Sequence, residues 1–262
     1  MLEKTVDLQN FYDVLPCTLD LYIVSGAKKS VLVLPGGGYN GVSLREGAPV
    51  ARRFNQSGYN TFVLTYSTLD NFAPDSMRFP SQLLQAAAAI DYIRSIAKQH
   101  RFSKKVAVCG FSAGGHLAAS ISTMYAKPYA ARALGLTPKA VRPDASILCY
   151  PVISGVKNPH QGSICNITGG DTALIKEVSA ERQVRANTPP AFLWHTSDDD
   201  AVNVTNSLEY ARALRAKGIE FELHVFDKGP HGLSLCDSTT DIVDEHCAVW
   251  FDIMLRWLQR AM

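Results

Sequence analysis

Lys105-Val106-Ala107-Val108-Cys109-Gly110-Phe111-Ser112-Ala113-Gly114-Gly115-His116-Leu117 carries the clearest structural pattern in the chain. Its first half is a short apolar run with β-branched residues, the pattern of a buried parallel strand. It then passes through Gly110-Phe111-Ser112-Ala113-Gly114, a Gly-x-Ser-x-Gly turn, and Leu117, Ala118, Ala119 and Ile121 start a helix. Strand, tight turn and helix together give that pattern its meaning, because Ser112 then sits on a strained turn with its hydroxyl above the sheet. Glycine is needed on either side, where a Cβ would collide with a neighbouring strand or helix. A serine hydroxyl is a weak nucleophile, so the rest of the chain must supply a base, an acid and oxyanion donors.

Outward from this centre, strand and helix patterns alternate about five times. Upstream lie two weak strand candidates within residues 5–24, then the continuous apolar run Ser30–Leu34, a helix over Glu46–Gln56 and a strand over Tyr59–Tyr66. A polar loop with Asp70, Asn71, Pro74 and Asp75 follows. Pro80 then opens a helix whose Leu83, Ala87, Ile90, Ile93 and Ala97 recur at three- and four-residue spacing. Downstream, Ala145–Tyr150, Ala191–His195 and Glu220–Phe226 read as strands, and Asn206–Lys217 as a helix closed by Gly218. A final helix carries Val243, Cys247, Trp250, Met254 and Trp257 on one face. Such alternation predicts one α/β domain with a mainly parallel sheet covered on both faces. Residues 154–188 read as irregular and are too long for an ordinary connection, so they predict a small cap inserted over the site.

Composition narrows the function classes. The 262 residues are 47% hydrophobic and 19% charged, with a net charge of +2. No block of basic residues suggests nucleic acid, and no run approaches the roughly 18 apolar residues that span a membrane. The first residues show no basic segment followed by an apolar one, so no signal peptide is read there. The six cysteines are scattered without a Cys-x-x-Cys pair. They predict free, mostly buried thiols in a reducing, cytoplasmic setting rather than a disulfide or metal framework. A redox role for Cys109 is disfavoured by its place inside a buried strand.

The base must follow the acid in chain order on this kind of sheet. Of seven histidines, His224, His231 and His246 lie far enough downstream. His224 lies within a strand and His246 on the last helix. His231 lies in Gly229-Pro230-His231-Gly232-Leu233, a loop just past a strand end that can bring the imidazole back over the sheet edge. The acid belongs at the end of the preceding strand, in Ser197-Asp198-Asp199-Asp200-Ala201-Val202. Asp199 is favoured by its Asp-x-x-Val spacing and Asp198 is the competitor; solvation or capping of loop amides suits Asp198 and Asp200. A metal held by three adjacent carboxylates is disfavoured because neighbouring side chains diverge. The N–H of Ala113 and those of Gly37 and Gly38, after a neighbouring strand, are the oxyanion donors. Tyr39-Asn40 after the triple glycine excludes a phosphate loop, which would continue with Lys-Ser or Lys-Thr.

With these residues in place the chain resembles the α/β-hydrolase-fold esterases, in particular the bacterial acetylesterase-like group of sugar or xylan acetylesterases and lipase/esterases. The resemblance rests on Leu34-Pro35-Gly36-Gly37-Gly38-Tyr39, Arg45-Glu46-Gly47, Cys109–Leu117, Leu148-Cys149-Tyr150-Pro151-Val152-Ile153, Leu193-Trp194-His195-Thr196 with Asp199, and Gly229–Leu233. It implies Ser112, Asp199 and His231 as a triad, Gly37, Gly38 and Ala113 as the oxyanion hole, and hydrolysis of short acyl esters such as acetylated sugars. It implies no metal or organic cofactor. Wider relatives begin the glycine motif with histidine where Pro35 stands, which removes a side chain that can brace the loop, and they continue Val-Pro where this chain has Val202-Asn203. An amidase, peptidase or aryl-formamide hydrolase on the same fold is the alternative, although no propeller domain of the large peptidases is read in the sequence. A non-catalytic binding protein would lack a triad member, and none is lacking. Pocket size is assigned to Tyr39, the loop 68–80 and the cap 154–188.

Overall fold

The computed structural model describes residues 4–71 and 78–262. Residues 72–77, and with them part of the loop 68–80 and its Pro74 and Asp75, lie outside the described residues. Eight strands form one sheet: β1 (Lys4–Asp7), β2 (Thr18–Tyr22), β3 (Ser30–Leu34), β4 (Asn60–Thr65), β5 (Val106–Phe111), β6 (Ala145–Cys149), β7 (Ala191–Thr196) and β8 (Phe221–Phe226). Their spatial order is β1-β2-β4-β3-β5-β6-β7-β8. β1–β2 and β2–β4 pair antiparallel, and every other pair is parallel.

The helices are α1 (Ala48–Gln56), α2 (Ser81–Ile96), α3 (Ala113–Met124), α4 (Pro138–Val141), α5 (Gln161–Thr168), α6 (Ile175–Val178), α7 (Ala180–Gln183), α8 (Thr205–Ala216), α9 (Glu245–Ala248) and α10 (Trp250–Ala261). Strand alternation sorts the core into two layers. Leu32, Leu34, Val106 and Val108 face α2, α3 and α8. Val31, Val33, Ala107 and Cys109 face α1 and α10. Both faces of the central strands are therefore dry, which is why β3 and β5 read as continuous apolar runs rather than alternating ones. Among the described residues no helix is long and apolar enough to cross a membrane.

Three expectations about elements change. Residues 154–188 are not irregular: they hold α5, α6, α7 and a short 3₁₀ turn at Thr172–Leu174. These helices are too short to show an apolar period, so their ends carry the signal instead. His160 caps α5, and Gly169 closes it in the left-handed region at φ +61°. The helix expected from Glu46 starts at Ala48, because Gly47 leaves helical geometry and Glu46 turns inward. The last helix is two helices, capped by Asp244, whose carboxylate accepts from Cys247 N. Val243 lies before that cap and is 66% exposed, whereas Cys247, Trp250, Met254 and Trp257 are buried.

The parallel strands share one polarity, so their carboxyl ends lie along one edge. From that edge emerge the triple glycine after β3, Ser112 after β5, Tyr150 after β6, the aspartates after β7 and the His231 loop after β8.

Candidate active site

Ser112 has φ +53° and ψ −118°, a conformation that a side-chain-bearing residue adopts only when its surroundings impose it. They do so by close backbone packing. A Cβ on Gly110 would stand 2.2 Å from the Gly114 carbonyl oxygen, and one on Gly114 would stand 2.0 Å from that of Leu34 in β3. Ser112 N donates to Cys149 O at 3.0 Å, and Ser112 O accepts from His116 N at 3.0 Å and Val152 N at 3.1 Å. The turn is thus pinned to both neighbouring strand ends and to α3.

His231 and Asp199 reach the same point from two other loops. His231 Nε2 lies 2.8 Å from Ser112 Oγ, and His231 Nδ1 lies 2.7 Å from Asp199 Oδ2. Asp199 Oδ1 accepts from Ala201 N at 3.0 Å and Val202 N at 2.8 Å. With the carboxylate bound to Nδ1–H, Nε2 is left as the acceptor for the serine proton. Burial raises the Asp199 pKa, but hydrogen bonds from His195 and His231, the charge of His231 and the Val202 N–H outweigh it. The carboxyl is held well below the usual range.

Asp198 does something else: its Oδ1 accepts from Gly229 N at 2.8 Å and so braces the His231 loop. Asp200 is exposed. Among the described residues no three His, Cys, Asp or Glu side chains are grouped to hold a metal ion. His224 bonds Glu222 Oε1 at 3.0 Å, and His246 faces Asp227 Oδ1 at 3.3 Å, both apart from Ser112.

Gly37 and Gly38 adopt φ +125° and +66°. A Cβ on Gly37 would meet Gly41 O at 2.3 Å, so the loop can curl only with glycine there. Among the described residues the N–H groups of Gly37, Gly38 and Ala113 have no protein acceptor. The loop lies against the serine turn: a Cβ on Gly36 would be 3.0 Å from Ser112 Cβ.

Tyr39 requires a correction. Its side chain is 1% exposed and its hydroxyl lies 2.7 Å from His116 Nδ1, so it anchors the glycine loop to α3 instead of walling a pocket. His116 Nε2 donates to Val178 O at 2.6 Å, so Nδ1 is the acceptor from Tyr39. Burial lowers the His116 pKa to about 4, and the ring serves as a neutral connector between the loop, α3 and the end of α6.

Two further groups escaped the sequence reading as participants. His195, fully buried in β7, lies with Nε2 at 2.8 Å from Val202 O and 3.2 Å from Asp199 Oδ2, so it helps orient the Asp199 carboxylate. Glu46 is also buried. Its Oε2 accepts from Gly36 N at 2.7 Å and its Oε1 from the Tyr150 hydroxyl at 2.7 Å. Tyr150 Oη in turn accepts from Ser234 N at 2.8 Å, and the Tyr150 ring meets His231 edge-on at 5.0 Å. Glu46 therefore ties the glycine loop to the His231 loop. Burial raises its pKa, partly offset by Tyr150, the Gly36 N–H and the charges of His231 and Arg45. With the Tyr66 hydroxyl on Pro35 O at 2.5 Å, Glu46 supplies the brace that Pro35 cannot. The signal was present as Arg45-Glu46-Gly47, a charged pair beside a glycine, but nothing local says that Glu46 turns inward.

Strand order, serine turn and the three converging loops define an α/β hydrolase. The family described as the prolyl oligopeptidase family matches residues 85–259, and the one described as BD-FAE matches residues 19–134. An acetyl ester-xyloside bifunctional hydrolase from Caldicellulosiruptor lactoaceticus is 34% identical, with a TM-score of 0.85 over 98% of this chain and 96% of that one. A carboxylesterase from Lactobacillus plantarum is 29% identical, with a TM-score of 0.82 over 99% and 97%. The acetylxylan esterase of Xylanibacter ruminicola is 34% identical over 78% of this chain and 41% of its own length. Endo-1,4-beta-xylanase B of Butyrivibrio fibrisolvens is 36% identical over 79% of this chain and 33% of its own. The chain thus spans about a third to two fifths of the curated relatives it matches. It belongs to the prolyl oligopeptidase family of the α/β-hydrolase fold, in the bacterial acetylesterase-like group.

Proposed function

We propose that this chain is a serine ester hydrolase that removes short acyl groups, chiefly acetyl, from hydroxylated alcohols such as sugars. The observation that carries the reading is the unbroken hydrogen-bond line from Ser112 Oγ through His231 to Asp199. His231 Nε2 takes the proton of Ser112 as the hydroxyl attacks the ester carbonyl. The oxyanion is received by the N–H groups of Gly37, Gly38 and Ala113, each donor contributing about 10²–10³ in rate. The alcohol leaves with the proton from His231, and water repeats the sequence on the acyl-enzyme to free the acid. Asp199 keeps the tautomer of His231 and stabilises the imidazolium without taking the proton.

Residues 154–188 are the cap of this site, within a single domain. The bonds from Asn166 to Gly38 O and from His116 to Val178 O support that reading, since both join the segment to the elements around Ser112. The six free cysteines, all buried but Cys165, suit a reducing compartment such as the cytoplasm.

Ser112→Ala is the direct test, assayed on p-nitrophenyl acetate and on an acetylated methyl xyloside. Turnover of both should disappear apart from a residual rate, and full activity would remove the reading. A peptidase is the second reading, favoured by the prolyl oligopeptidase family match and by rice acylamino-acid-releasing enzyme 1, 25% identical over 87% of this chain. An N-acetyl-alanine anilide assayed beside the esters separates the two, since the peptidase reading requires Ser112-dependent cleavage of the anilide and the esterase reading does not.

A further inference from the structure

α5 lies over the glycine loop. Asn166 Nδ2 donates to Gly38 O at 2.9 Å, and a Cβ on Gly38 would stand 3.8 Å from Ser163 Oγ. The N-terminal end of α5 is therefore beside one of the oxyanion donors. His160 sits there as the cap. Its Nδ1 accepts from Ser163 N at 3.2 Å and lies 2.8 Å from Ser163 Oγ.

That geometry settles the tautomer. A ring nitrogen that accepts a backbone N–H bond carries no proton, so the neutral ring must hold its proton on Nε2. Among the described residues Nε2 has no protein partner. Burial lowers the His160 pKa, the charge of His231 lowers it further and that of Asp199 raises it. His160 therefore shares the electrostatic environment of the His231–Asp199 pair.

We infer that His160, held by Ser163 at the start of α5, is a specificity residue whose Nε2–H binds an oxygen on the alcohol portion of the ester. This rests on the ester-hydrolase reading above and names the class of alcohol. A half-buried N–H donor suits a hydroxyl or ring oxygen next to the esterified position, as in a sugar or a glycerol ester. An aryl alcohol offers no such acceptor. A site built to bond a substrate oxygen discriminates against an analogue lacking it, because its own donor is then left unpaired.

The test compares acetylated methyl xyloside and glyceryl monoacetate with p-nitrophenyl acetate, as ratios of kcat/KM. In His160→Ala the ratio of either hydroxylated ester to the aryl ester should fall by about tenfold, the loss of one hydrogen bond. His160→Ser keeps a cap acceptor for Ser163 N but has no donor that reaches as far. It should restore the thermal stability of α5's attachment and leave the ratio low. If His160→Ser restores the ratio, or if His160→Ala leaves it unchanged, His160 is only a helix cap and the inference fails alone. A wild-type enzyme that cleaves the aryl ester but neither hydroxylated ester overturns this inference together with the sugar reading, and leaves the serine mechanism standing.

Discussion

Two stretches meet above Ser112 and are held in different ways. Residues 105–117 are held mainly by main chain packed on main chain: Gly110 against Gly114, and Gly114 against Leu34 and Pro35. The segment 154–188 is held mainly by side chains on main chain: Asn166 on Gly38, His116 on Val178, and Asn206 Oδ1 on the N–H groups of Ile153 and Ser154 at 2.9 Å each. Backbone packing has no slack, because neither partner can move without moving a strand. A side-chain tether can be exchanged for another. The part proposed to attack the ester is thus built rigidly, while the part proposed to choose the alcohol is built from replaceable contacts.

Gly114→Ala should break this contrast most severely. Its Cβ would overlap two carbonyl oxygens of the β3 end, so a loss of more than about 3 kcal/mol is expected in urea unfolding, or no folded protein at all. A stable, active Gly114→Ala would show that the serine turn yields as readily as the segment 154–188.

Asp199→Asn comes next and separates the two aspartates. It should lower kcat by about 10⁴, because an amide facing His231 Nδ1 favours the wrong tautomer. Asp198→Asn keeps an oxygen to accept from Gly229 N and should lower kcat by less than about threefold, a small fraction of a hydrogen bond. The reverse order would move the acid to Asp198. The same variant has a pH signature. Asp199 has a folded pKa below its unfolded one, so its stabilisation is present above the unfolded value and disappears only as pH falls through the folded one. The stability difference between wild type and Asp199→Asn should therefore persist down to about pH 4, the unfolded carboxyl value, and close only in stronger acid. Closure between pH 5 and 7 would contradict the bonding seen around Asp199.

Asn166→Ala should have the smallest effect. It removes one hydrogen bond between α5 and the glycine loop, a loss of about 1 kcal/mol in urea unfolding with the serine turn intact. A loss as large as that of Gly114→Ala would mean that the segment is no less rigidly built than the turn beneath it.

The features legible along the chain are local in origin. The apolar runs of β3 and β5 announce strands buried on both faces, and Gly110 and Gly114 announce a turn that admits no Cβ. The order serine, aspartate, histidine after successive strands nominates Ser112, the aspartate run after β7 and the His231 loop, because parallel strands bring their carboxyl ends to one edge whatever lies between, and the Asp-x-x-Val spacing favours Asp199 over Asp198. Tertiary structure alone decided the rest. Tyr39 reads as a pocket residue in a glycine loop, yet its ring turns inward because His116, 77 residues on, offers an acceptor there. Glu46 reads as the start of a helix, yet it is buried because Gly36 N and the Tyr150 hydroxyl, from separate loops, both need its carboxylate. His195 reads as part of a strand, and only the return of Val202 and Asp199 over it gives its ring partners. Where a residue's role depends on its own backbone and immediate neighbours, the pattern is written along the chain. Where it depends on a hydrogen-bond partner from another loop, nothing local records it, because the partner becomes a neighbour only once the sheet has formed.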